Sequence, residues 1–136
     1  MTSVPLVWVV DDDPDDQLIM AMAISQIAPA VRVNYFKDGL DVLTHLSQRP
    51  LYPRLIILDL NMPGKNGFET LNEIRNMPAT HQLPVIIFTT STHQQDRDRS
   101  ILLGANAFYS KPGDYDQILL IMKEIADKWQ LSGTAH

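Results

Sequence analysis

The sequence predicts a single α/β domain, a parallel sheet with helices packed on both of its faces. Three observations lead there. Short apolar runs alternate with helix-like stretches about five times along the 136 residues. Leu55–Leu58 and Val85–Phe88 are apolar without interruption, the pattern of parallel strands covered on both faces. Chain breakers fall at the joins: Pro50 and Pro53 before the third run, Pro78 and Pro84 before the fourth, and Gly104 after the fourth helical stretch.

Each element has its own signal. Leu6–Val10 is a β-rich run that stops at an acidic cluster. Pro14 lies near a helix start, where its missing N–H costs little, and Leu18, Ile19, Met22 and Ile27 follow at helical spacing. Val31–Phe36 alternates, as an edge strand with one wetter face does. Leu40, Leu43 and Leu46 mark a second helix; Phe68, Leu71 and Ile74, after Gly67, mark a third. Gln94–Leu103 is polar until Ile101 and reads as a marginally anchored fourth helix. Ala107–Ser110 is a weaker fifth strand before Lys111 and Pro112. Tyr115, Ile118, Met122, Ile125 and Trp129 outline a long last helix, with Leu120 and Ile121 as an apolar pair off its main stripe. The core is expected over about residues 6–129 of one domain spanning 1–136, with 131–136 as a short flexible tail.

Composition narrows the function classes. Hydrophobic residues make up 45% and charged residues 20%, ordinary globular proportions. The absence of cysteine excludes disulfide frameworks, thiolate metal sites and cysteine nucleophiles. No apolar run approaches the roughly 18 residues of a membrane span, and the N-terminus lacks the pattern of a signal peptide, so a soluble cytoplasmic protein is expected. A net charge of −5 without a basic patch argues against nucleic-acid binding. His45, His81, His93 and His136 have no ligand partner at useful spacing and read as surface residues.

In an open parallel sheet, ligands bind at the carboxyl ends of the strands. Here those ends carry Asp11 and Asp12, Asp59, Thr89 and Lys111. Five of the six residues from Asp11 to Asp16 are aspartates; the dipole of a helix start accounts for Asp13, Asp15 and Asp16, but poorly for Asp11 and Asp12. Asp13 fits a helix cap and an outer metal-shell acid equally well. Converging carboxylates repel each other, and a hard divalent cation such as Mg²⁺ relieves that repulsion. Without histidine or cysteine in the set, zinc is a poor match.

The residues Val9-Val10-Asp11-Asp12-Asp13, Leu58-Asp59-Leu60-Asn61-Met62-Pro63-Gly64, Thr89 and Lys111-Pro112 resemble the receiver domains of bacterial two-component response regulators, from about Leu6 to Trp129. The resemblance implies a flavodoxin-like, CheY-like (βα)5 fold of strand order 2-1-3-4-5. It implies that Asp59 accepts a phosphoryl group from a phosphohistidine on a sensor histidine kinase or histidine phosphotransfer protein. Mg²⁺ is then held by Asp12, Asp59 and the backbone carbonyl of Asn61, with Asp11 acting mainly through bound water. Lys111 and Thr89 contact the phosphoryl oxygens. Thr89 and Phe108, with Tyr109 as neighbouring alternative, relay the change to the fourth helix and fifth strand. A downstream protein target completes that expectation; separately, the apolar pair Leu120 and Ile121 reads from the sequence as a partner surface or a homodimer surface. Gly113 departs from the apolar residue common after Lys-Pro, and Asn61 and Ser91 occupy positions that tune phosphate loss. The end of the chain resembles small receivers partnered with phytochrome-type kinases.

Three other classes compete. A Mg²⁺-dependent phosphatase with an aspartyl nucleophile of the haloacid-dehalogenase kind needs a second aspartate where Asn61 stands. A flavodoxin-like cofactor binder needs N–H donors or basic groups where the first loop is acidic. A degenerate receiver acting as a scaffold would not need the intact acidic set.

Overall fold

The structure is a computed structural model that describes residues 4–48, 52–62 and 64–131. Pro50, Pro63 and His136 therefore lie outside the described residues, as does the expected tail from 132 onward.

The chain runs β1 (Leu6–Val10), α1 (Pro14–Ile27), β2 (Arg32–Phe36), α2 (Gly39–Gln48), β3 (Leu55–Leu58), α3 (Gly67–Asn76), a 3-10 turn at Pro78–Thr80, β4 (Val85–Thr89), α4 (Gln94–Leu102), β5 (Ala107–Ser110) and α5 (Tyr115–Lys128). All five strands are parallel in the order β2-β1-β3-β4-β5. The expected fold is the observed one. β3 and β4 are buried along their whole length, whereas the edge strand β2 buries only Phe36 fully. That contrast is the physical reason for the continuous and the alternating sequence patterns.

Strand residues alternate between two cores. Trp8, Val10, Ile56, Leu58, Val85, Ile87 and Phe108 pack against α2 and α3. Val7, Val9, Leu55, Ile57, Ile86 and Phe88 pack against α1 and α5. Leu131, assigned to the tail by the sequence pattern, is 1% exposed and belongs to the second core. No helix among the described residues is long and apolar enough to cross a membrane.

Two helix faces differ from the expected stripes. α1 turns Met20, Ala23 and Ile24 inward, while Leu18 and Met22 are more than half exposed. α2 buries Val42 and Leu46 and exposes Leu40. In both helices the buried residues fall at i, i+3 or i+4 spacing, but on a neighbouring strip of the helix surface. Ile121, placed off the main stripe, packs at the edge of the second core, and Leu120 is exposed. His45 is half-buried, with its ring edge-on to Phe36 at 5.0 Å.

Candidate phosphoacceptor site

The site begins with strand register. Val10 pairs with Leu58, so the next residues, Asp11 and Asp59, emerge side by side at the carboxyl edge of the sheet. Their backbones are fixed there: Asp11 N–H donates to the Phe36 carbonyl at 3.0 Å, and Asp59 N–H to the Val10 carbonyl at 3.0 Å. Both carboxylates continue the parity of Val9 and Ile57 and face the α1/α5 side. Lys111 follows β5 directly, and its N–H donates to the Thr89 carbonyl at 2.7 Å.

The side chains meet. Lys111 Nζ donates to Asp11 Oδ2 at 2.7 Å, Asp16 Oδ2 at 2.8 Å and Asp59 Oδ2 at 3.1 Å. Asp11 and Asp59 are 4% and 6% exposed. Asp12 is exposed, yet one oxygen each of Asp11, Asp12 and Asp59 lies within 4.8 Å of the others. Asp13 is a helix cap: its carboxylate accepts from Asp15 N–H at 2.9 Å, and its own N–H donates to Asp11 Oδ1 at 2.9 Å. Its carboxylate thus works away from the cluster, which favours the capping role of the two it could have filled.

Four carboxylates and one ammonium leave the site acidic. Burial pushes the Asp11 carboxyl above its ordinary pKa, against the opposing pull of Lys111 and the Asp13 N–H, and the charge on Asp59 adds to the rise. Burial alone would lower the Lys111 pKa, but the hydrogen bonds to Asp11 and Asp16 and the charges of Asp59 and Asp11 carry it above the usual lysine value. Lys111 is therefore an ammonium throughout the neutral range. The donor set fits a hard cation: three oxygens close enough to share one ion, with surplus negative charge to be neutralised. No histidine belongs to it among the described residues.

Asn61, two residues beyond Asp59, donates its backbone N–H to Asp59 Oδ1 at 3.3 Å. Thr89 does not join the carboxylate–lysine cluster. It shares the parity of Val85 and Ile87 and faces the opposite core, where its buried hydroxyl accepts from Asn61 Nδ2 at 3.5 Å and Ser91 N–H at 3.4 Å. Phe108 is buried on that same side, below the Arg97 guanidinium at 5.9 Å. Tyr109 instead turns toward α5, where its hydroxyl bonds Glu124. Gly113 is exposed, with open space where a side chain would stand.

Asp16 is the participant that sequence reasoning missed. Its place in an aspartate run at a helix start gave it a sufficient explanation as a dipole partner. The usable signal was its place in the first turn of a helix that follows directly on the strand-end pair Asp11 and Asp12.

The strand order and the acidic carboxyl edge put the molecule in the flavodoxin-like α/β class. Within that class, residues 7–123 match the response regulator receiver domain, and the chain belongs to that family. The phosphorylated cyanobacterial phytochrome response regulator RcpA is similar at TM-score 0.88 and 28% identity, covering 97% of this chain and 98% of that one. The Mn²⁺-bound form of response regulator Rcp1 is similar at TM-score 0.82 and 28% identity, over 96% and 97% of the two chains. The probable methanogenesis regulatory protein FilR2 of Methanothrix harundinacea is 26% identical over 91% of this chain and 83% of its own length. A probable cyclic di-GMP phosphodiesterase of Vibrio cholerae is 32% identical, but the match spans only 23% of that protein.

Proposed function

We propose that this receiver accepts a phosphoryl group on Asp59 in a Mg²⁺-dependent reaction and thereby switches a protein-binding surface around α4, β5 and α5. The observation that carries the reading is the Asp59 carboxylate lying among Asp11, Asp12 and Lys111 at a buried strand end. In the reaction the P–N bond of a donor phosphohistidine breaks as an O–P bond forms to an Asp59 carboxylate oxygen. A carboxylate nucleophile needs no general base, because the attacking oxygen carries the electron pair itself.

Asp11, Asp12 and Asp59, with the Asn61 carbonyl, would hold the cation, which supplies charge neutralisation to the transferring oxygens. Resemblance to a Mn²⁺-bound regulator supports a divalent ion at these residues. Lys111, a fixed ammonium, neutralises further charge on those oxygens. Burial of Asp11 and Asp59 keeps bulk water from screening these contacts.

The added group brings about −1.5 to −2 charge and three strong acceptors. Among the described residues the Thr89 hydroxyl oxygen accepts two long contacts, which leaves its O–H to be donated to a phosphoryl oxygen once the side chain turns toward Asp59. Charge-assisted bonds from Thr89 and Lys111 are worth about 1.5–3 kcal/mol each before their earlier contacts are deducted. A full reversal of populations needs about 5.5 kcal/mol. The switch thus works on a nearly balanced pair of states, with Phe108 moving in concert with Thr89.

This protein acts in the cytoplasm on a phosphoryl donor that is a sensor histidine kinase or histidine phosphotransfer protein, and similarity to the phytochrome regulator RcpA points to the phytochrome type. The output is a protein target, with a homodimer through exposed Leu120 as the arrangement to test by mass. Incubation with Mg²⁺ and acetyl phosphate tests the reading: one phosphoryl adduct per chain is expected on the wild type and none on Asp59→Asn. Full-level adduct on Asp59→Asn would overturn it, and rapid turnover of a generic phosphate ester would favour a phosphatase instead.

A further inference from the structure

We infer that Asp16 is a positioning residue for phosphoryl transfer, holding the Lys111 ammonium over Asp59 when Asp11 and Asp59 engage a cation. This rests on the function proposed above. The geometry begins with the helix start. Asp13 caps α1 and Pro14 opens it, so Asp16 lies in the first turn of the helix, where its carboxylate accepts from Lys111, the residue just past β5, at 2.8 Å. The capping work is done by Asp13, leaving the Asp16 carboxylate free to reach Lys111.

An ammonium has three N–H groups, and here each has a carboxylate: Asp11, Asp16 and Asp59. Two of these three acids belong to the trio whose oxygens can share an ion, and Asp16 does not. Once a cation draws on Asp11 and Asp59, their lone pairs are divided between two positive partners. Asp16 then keeps an undivided hold on Lys111. It also ties α1 to the loop after β5, two elements that are distant in sequence.

Dipole stabilisation of α1 by Asp16 is the competing account, and it has a different signature, because it acts whether or not a lysine is present. The contact is partly solvated, with the Asp16 side chain 31% exposed and Lys111 10%. The effect expected is therefore that of a partly screened pair. Asp16→Asn should slow labelling of Asp59 by acetyl phosphate about fivefold. The Mg²⁺ concentration giving half-maximal rate should stay where it is, since Asp16 is not among the ion's ligands.

The deciding measurement is a cycle of labelling rates on wild type, Asp16→Asn, Asp16→Glu, Lys111→Gln and the Asp16→Asn/Lys111→Gln double variant. Glutamate should restore most of the lost rate, and Asp16→Asn should cost nothing further once Lys111 is glutamine. An unchanged rate in Asp16→Asn, no recovery with glutamate, or the same fold loss in both Lys111 backgrounds would overturn the inference while leaving the phosphoacceptor assignment standing. Failure of wild-type Asp59 to be labelled at all would overturn both.

Discussion

α3 and α4 lie on the same side of the sheet and are held in unlike ways. α3 begins with a complete capping box between Asn66 and Glu69 and buries Gly67, Thr70, Leu71 and Ile74. Gly67 sits so close to the end of β3 that an added Cβ would lie 2.4 Å from the Asp59 carbonyl oxygen. Arg75 then fastens the far end of the helix to the Gly104 and Thr80 carbonyls and to Asn106. Among the described residues, α4 has no side-chain cap and buries only Ser100, while Ile101 and Leu102 stand 46% and 88% exposed. Its ties are polar: Ser91 to Asp96, and Arg99 over the Phe68 ring at 4.0 Å. Contacts of that kind can be replaced by water, whereas apolar burial and direct backbone contact cannot. On the proposed function, a few kcal/mol released at Asp59 would rearrange α4 and leave α3 in place.

The largest effect expected from breaking this contrast is at Gly67. Alanine there must push backbone against backbone, and Gly67→Ala should cost about 3 kcal/mol in a denaturant titration. It should also impair labelling of Asp59. A smaller, opposite effect belongs to the acid cluster. Because burial raises the Asp11 pKa, the fold favours its protonated form, and that contribution is present at low pH and lost as pH rises through the folded value. In the absence of divalent cation, Asp11→Asn should thus stabilise the protein at neutral pH relative to acid pH. Its stability should lose that part of its decline between acid and neutral pH, as thermal melts across pH would record. The finest adjustment is to the caps. Asn66→Ala should cost about 1 kcal/mol by removing a cap that exists, and His93→Asp should add a few tenths or more by supplying one that α4 lacks. If the contrast is what drives the switch, His93→Asp should also reduce the change in target or dimer affinity on phosphorylation.

The sequence carried the sheet and most of the carboxylate–lysine cluster because both depend on local signals. Buried parallel strands must be continuously apolar, and a strand-end carboxylate is conspicuous immediately after Leu58 or Val10. The inner face of α1 was not legible, since residues 18–24 are all apolar and hydrophobic spacing cannot choose among registers. In α2, Leu40 matched the expected stripe although Val42 and Leu46 are the buried pair. Asp16 was hidden by sufficiency: one good reason for an acid at a helix start concealed a second partner 95 residues away. Thr89 was placed at the right strand end, but its direction depends on pleat parity relative to Asp59, which requires the pairing register.

Amide hydrogen exchange with and without Mg²⁺ and acetyl phosphate, on wild type and Asp59→Asn, tests most directly whether modification of Asp59 is read out through the weakly held helix. Altered protection from Thr89 through β5, with residues 67–76 of α3 unchanged and no response in Asp59→Asn, is the result expected. An equal response in α3, or one that persists without the Asp59 carboxylate, would contradict it.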